Sequence, residues 1–364
     1  MNMPAVHNAE LYRDPVVIQS IEALNSVGLN GILNNQQIEV VNEMPLAVAW
    51  PTNRSFEPFD QFENGGTLRF MGFANGLRLK EGRVMASLVA EVTGGPVVLV
   101  PNPNRDMRGK HDISSTRGWY RMSQAQRHNA SIQQLDDHAT VAYDALLRLC
   151  DRSNYGNLNS LFTSGESMGA ATALAAAFVA RKASDVKGAA LVALPNVEDR
   201  SVYLELLLKD LANCMPIQGG LAREAAAGAT KLHPLLEAIG IDVNGNHNYK
   251  AAPDHEFFLK DIVAIPGDLT LSTFRSNEAL ARAISQATAE KMLDRLVFAK
   301  EPIQVVLGFM QHDPVARYDN FLQLYRSRVT PRHLNTGLFV TSHDHAGCNN
   351  PYITAWPIRQ LIET

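Results

Sequence analysis

The residues best suited to chemistry in this chain begin with Gly165-Glu166-Ser167-Met168-Gly169. A short apolar run precedes them and an Ala-rich stretch of strong helix propensity follows, through residue 180. A serine on such a strand-to-helix turn is held in a strained backbone conformation, with its hydroxyl above the sheet. The residues two before and two after it pass too close for side chains, and Gly165 and Gly169 remove that collision. The plainer reading is a helix N-terminus with Ser167 as an ordinary cap; the strand on one side and the helix on the other favour the strained turn.

A serine hydroxyl is a poor nucleophile at neutral pH, so it needs a base within hydrogen-bond reach and a carboxylate to orient that base. Two later segments hold groups of these types: His312-Asp313-Pro314, and Ser342-His343-Asp344-His345. The same side chains are good ligands for a divalent metal, and His343 and His345 fall on one side of an extended segment. A metal site built from them leaves the Gly-flanked serine unexplained, so the serine reading is preferred.

The surrounding pattern must position these groups. Residues 1–36 read as an N-terminal extension with amphipathic pieces, and residues 37–51 as an edge hairpin around a Met44-Pro45 turn. Residues 56–66 read as a loop, residues 67–73 as a strand running into a Gly-containing turn, and residues 80–92 as a helix. Residues 95–101 form a continuous apolar run between Gly and Pro, the pattern of a parallel strand buried on both faces. The polar segment 102–116 that follows is a loop, with Arg105, Arg108 and His111 on a solvated rim more often than in contact with substrate. A helical period over 131–150 leads to the strand before Ser167, and 186–194 is the next strand. Strand and helix in alternation argue for a parallel sheet with helices on both faces.

That alternation stops over about 197–296, where several helical patterns occur without a convincing strand. Strand patterns resume at 302–309 and 338–341, and residues 352–363 close as an amphipathic helix.

With the Gly-x-Ser-x-Gly turn, its flanks and the later acid and histidines in this order, the sequence resembles the α/β-hydrolase family. The resemblance covers residues 37–364 and implies an α/β-hydrolase fold: a mostly parallel, doubly wound sheet with a helical cap inserted before the last two strands. Its domains would be an N-terminal extension (1–36), a core (37–196 and 297–364) and a cap (197–296).

It further implies a serine hydrolase that cleaves a carboxylic ester or related acyl bond through an acyl-enzyme. Ser167 would be the nucleophile and Asp313 the acid, with Asp319 less well placed. His345 would be the base and His343 the alternative; Asp344 stands where the family usually has Gly before that His, which leaves the choice between them open. The oxyanion would be bound by the N–H groups of Met168 and Phe73, Ala74 being the alternative donor, and Ala74 and Asn75 would line the substrate site. Met71-Gly72 replaces the usual His-Gly, with little effect on a backbone donor. No cofactor and no metal are required. An acyltransferase with the same triad, or a non-catalytic binding protein of this fold, are the alternatives.

Bulk properties agree with these expectations. The formal net charge of −4 argues against a nucleic-acid partner, and Cys150, Cys214 and Cys348 lack the spacing of a metal or redox pair. The first residues do not read as a secretory signal, and no later apolar run approaches the ~20 residues of a membrane span. The expectation is a cytoplasmic protein acting on a small-molecule ester or acyl substrate with an apolar portion; the sequence leaves the oligomeric state open.

Overall fold

The computed structural model describes residues 13–42, 44–72, 80–101, 125, 135–152, 154–182, 184–195, 294–295, 303–310, 313, 316, 336–341 and 350–363. Among these residues eight strands form one sheet: β1 (Gln36–Val41), β2 (Met44–Ala49), β3 (Gly66–Phe70), β4 (Val97–Val100), β5 (Leu161–Glu166), β6 (Val186–Val192), β7 (Gln304–Met310) and β8 (Thr336–Thr341). Their spatial order is β1-β2-β4-β3-β5-β6-β7-β8. The β1–β2 hairpin and the β2–β4 pair are antiparallel, and every pair from β4 to β8 is parallel.

Among the described residues, five α-helices pack on this sheet: α1 (Pro15–Asn34), α2 (Lys80–Thr93), α3 (Asp136–Cys150), α4 (Met168–Ala180) and α5 (Pro351–Glu363). Helix α2 lies against α1 and α5, while α3 lies against α4 on the other face. The sheet is thus covered on both sides, which is why β2, β4 and β5 are buried along their whole length and need no polar alternation. Each buried Val or Leu of β4 contributes roughly 1.5–3 kcal/mol relative to exposure. In α4 every residue but Phe178 and Val179 is buried, so its alanines serve close approach to the sheet and to α3 as well as helix propensity.

The hairpin turn differs from the sequence expectation. Met44 and Pro45 are the first residues of β2, opposite Val41 and Val40, and the chain reverses at Asn42 in a left-handed conformation (φ 51°). Strand β4 pairs only with residues Ala47, Val48 and Ala49, so the N–H that Pro45 lacks removes no bond on that side.

Helix α1 corrects the expectation that no apolar run reaches membrane-spanning length. It has 20 residues and is apolar enough, by length and composition, to cross a bilayer. Gly28 interrupts it, however, with non-helical angles (φ 67°, ψ 174°), and Val17, Ile21, Leu24 and Ile32 are buried in the core shared with α2. Asp14 caps its start by accepting from the Val16 and Val17 N–H groups.

The loop expected at 56–66 carries one 3-10 turn, Phe59–Gln61. It is pinned by Trp50, which stacks on Tyr155 (ring centroids 6.1 Å apart) and donates its indole N–H to the Glu57 carbonyl at 2.9 Å. Of the segment expected as a cap, only residues 294–295 are described. There Arg295 makes a bidentate ion pair with Asp136 in the first turn of α3, at 2.7 and 3.1 Å, and its guanidinium lies over the Phe178 ring of α4.

Candidate active site

Strand β5 ends at Glu166, and α4 begins at Met168. Ser167 between them has φ 52° and ψ −125°, a conformation L-residues seldom adopt and one that costs on the order of 1–3 kcal/mol. The surroundings impose it. The Ser167 N–H donates to the Val192 carbonyl of β6 at 2.9 Å, and its own carbonyl accepts from Ala170 at 2.9 Å. A Cβ on Gly165 would stand 2.3 Å from the Gly169 carbonyl oxygen, and Gly169 is equally close to the end of β3. Both glycines are therefore required for the turn to close.

The sheet topology places this turn at a crevice. The chain runs from β3 to β4 on one side, then crosses to β5 on the other, so the strand order reverses between β3 and β5. Ligands of open α/β sheets bind outside the carboxyl ends of the strands at such a reversal. Phe70 pairs with Gly165, which puts Met71 and Gly72 beside Glu166 and Ser167. On the other side Glu166 aligns with Val192, Val192 with Gly308, and Gly308 with Phe339. The carboxyl ends of β3, β5, β6, β7 and β8 thus share one edge, with a strained serine on its central strand.

The chain has the α/β-hydrolase fold. In this hydrolase fold the Met168 N–H is the first amide of a 13-residue helix, where the backbone dipole favours developing negative charge. Asp313 follows β7 and is 4% exposed. Its N–H donates to the Met310 carbonyl at 3.2 Å, and its Oδ1 accepts the Ala316 N–H at 2.8 Å, which fixes the carboxylate at the same edge. His343, His345, Phe73, Ala74 and Asn75 lie outside the described residues, as do Asp319, His312, Asp344, Arg105, Arg108 and His111. Among the described residues no group of three His, Cys, Asp or Glu side chains could hold a metal ion.

Two features beside the serine were not anticipated from sequence. Arg69 of β3 and Glu166 of β5 form an ion pair at 2.5 Å, with side chains 3% and 9% exposed. Burial pushes the Glu166 carboxyl above its ordinary range, while Arg69 and the Gly72 N–H, which donates to it, pull it back. A charge inside a buried strand does signal a partner. The second feature is His138, buried in the first turn of α3 edge-on to Phe70, with ring centroids 6.0 Å apart. Burial lowers its pKa to about 3, so it is neutral at physiological pH.

No protein-family model and no curated protein matches the chain. Among solved structures it is similar to an evolved variant of a potato epoxide hydrolase (14% identity, 90% of this chain and 98% of that chain covered, TM-score 0.47). It is also similar to the 2-hydroxy-6-oxo-6-phenylhexa-2,4-dienoate hydrolase of a Rhodococcus species (15% identity, 85% and 93% covered, TM-score 0.47). A thioesterase of the prodiginine pathway of Streptomyces coelicolor is a third (16% identity, 80% and 82% covered, TM-score 0.39). The strand order and the Ser167 turn are those of the α/β-hydrolase fold.

Proposed function

We propose that this chain is a serine hydrolase acting on a carboxylic ester or a related acyl bond. The observation that carries this reading is the backbone of Ser167: a strained, non-glycine residue at the reversal point of the sheet, held by two glycines that admit no side chain. Strain of this kind persists only where the surrounding structure over-determines it, and it concentrates at functional sites.

In the proposed mechanism the Ser167 Oγ attacks the acyl carbonyl carbon while its proton passes to a histidine. His345 is the assigned base, in the segment after β8, and His343 is its competitor. The carbonyl π electrons move onto oxygen, and the N–H groups of Met168 and Phe73 stabilise that oxyanion. Collapse expels the alcohol, which takes the proton from the imidazolium. Water then attacks the acyl-enzyme by the same steps in reverse order and releases the carboxylic acid. Asp313 orients the imidazole and offsets its charge. A cap over residues 197–296 would shape the acyl pocket.

Turnover of p-nitrophenyl esters of graded acyl length tests the reading. Hydrolysis is expected, lost in His345→Ala and kept in His343→Ala. Reversal of that order assigns the base to His343, and activity that survives both substitutions contradicts a histidine-dependent mechanism. Transfer to an added alcohol in excess of hydrolysis would mark an acyltransferase.

A further inference from the structure

We infer that Glu166 is a positioning residue: anchored on Arg69, its carboxylate fixes the Gly72 backbone, which directly precedes in sequence the residue proposed above as an oxyanion donor. The inference rests on the serine-hydrolase reading of this site and assigns a role within it to the residue before the nucleophile.

The sheet register supports it. Arg69 sits opposite Ser164, and Glu166 lies two residues further along β5 on the same face, away from the face on which Gly165 meets α4. Guanidinium and carboxylate therefore bridge β3 and β5 at the point where the strand order reverses. Regular pairing of β3 with β5 ends at Phe70–Gly165, and the last backbone bond toward β4 is from the Met71 N–H to the Val100 carbonyl at 3.3 Å. One residue further on, the Gly72 N–H donates to the Glu166 carboxylate. A side chain thus takes over where the strand ladder stops. It belongs to the residue covalently joined to Ser167, so the Gly72 backbone and the proposed nucleophile are referenced to the same carboxylate.

Stability alone does not account for the pair. A buried ion pair replaced by apolar side chains of similar volume is often as stable or more so. What such a replacement loses here is the acceptor for Gly72. Displacement of a catalytic group by about 1 Å costs roughly 10²-fold in rate, comparable to loss of one oxyanion donor.

Two double variants separate the roles. R69M/E166L removes charge and acceptor together, whereas R69M/E166Q removes the charge and keeps an oxygen for Gly72. Both are expected to melt within a few degrees of one another. The Gly72 amide, followed by NMR hydrogen exchange, should keep its protection with Gln and lose it with Leu. On an activated ester kcat should fall about 10²-fold with Leu at nearly unchanged KM, and recover to within about tenfold of wild type with Gln. E166D, which keeps the charge but shortens the reach by one methylene, gives the same reading if a double variant fails to fold: a fall in kcat with Gly72 deprotected. Unchanged Gly72 protection in R69M/E166L, or equal losses of kcat in the two double variants, would overturn the inference. If wild-type protein neither hydrolyses esters nor takes up an acylating probe while Gly72 is deprotected only with Leu, the positioning stands and the serine-hydrolase reading has failed.

Discussion

Gly169 lies directly beneath the Phe70 carbonyl: a Cβ on it would stand 2.3 Å from that oxygen and 2.6 Å from the Met71 carbonyl oxygen. These are backbone atoms at the end of β3, and they can yield only if the strand moves away from α4. Gly169→Ala should therefore cost about 1–3 kcal/mol, the range for overpacking in a rigid site. Because the displaced atoms directly precede Phe73, the proposed oxyanion donor, the proposed ester hydrolysis should fall further than the loss of folded protein explains. Denaturant midpoints and kcat, measured on the same preparations, check both parts.

The legibility of the fold followed the range of the interactions involved. The apolar runs of β4, β5 and β7 and the Gly-Ser-Gly turn are local patterns, and the sequence reads them with boundaries shifted by only a few residues. The Met44-Pro45 pattern suggests a turn because proline marks turns in general, whereas here it sits on β2 beyond the reach of β4 and Asn42 makes the reversal. The Arg69–Glu166 pair was illegible for a different reason. Each charge stands out in its strand, but their partnership depends on β3 lying beside β5 across 97 residues of sequence. Among the site residues, sequence placed Ser167 on the turn it occupies and Asp313 just after β7. The choice between His343 and His345 turns on loop conformation, which no periodicity encodes.

His138 gives the protein a specific acid sensitivity. Phe70 of β3 meets it edge-on, and the α3 residues that follow it, Ala139, Ala142 and Tyr143, are buried. The acidic side chains of its own turn are Asp136, engaged with Arg295, and Asp137. The unfolded chain protonates this imidazole near its ordinary value of 6.5, while burial lowers the folded pKa to about 3. The His138 contribution is therefore absent well above pH 6.5 and destabilises the fold increasingly as pH falls from there toward 3, by about 1.4 kcal/mol per unit at most. His138→Gln, neutral throughout, should flatten that part of the stability profile in urea titrations between pH 4 and 7.

The aromatic cluster beside the β2–β3 loop divides sharply in its expected energetics. Trp50 is 2% exposed and touches Phe56, Phe59 and Tyr155. Trp50→Ala should cost about 3–5 kcal/mol through lost packing and the cavity left behind. Phe56 is 50% exposed, and Phe56→Ala should cost well under half as much. Thermal denaturation of the two variants would show the contrast, and comparable losses would contradict it.

Cys150 should be chemically silent in the folded state. It is buried, and burial raises its thiol to about 11, so little thiolate forms at neutral pH. Its alkylation by a maleimide, followed by peptide mass analysis, should track global unfolding in denaturant and be negligible before the transition.

On the proposed function, the strained turn presents Ser167 as an activated nucleophile. A fluorophosphonate probe incubated with wild-type protein, followed by peptide mapping, measures this directly, because only an activated serine reacts at an appreciable rate. Stoichiometric modification of Ser167 is expected, abolished in Ser167→Ala, with that variant folded and inactive toward esters. Absence of labelling in folded wild-type protein, or ester hydrolysis that survives Ser167→Ala, would contradict it.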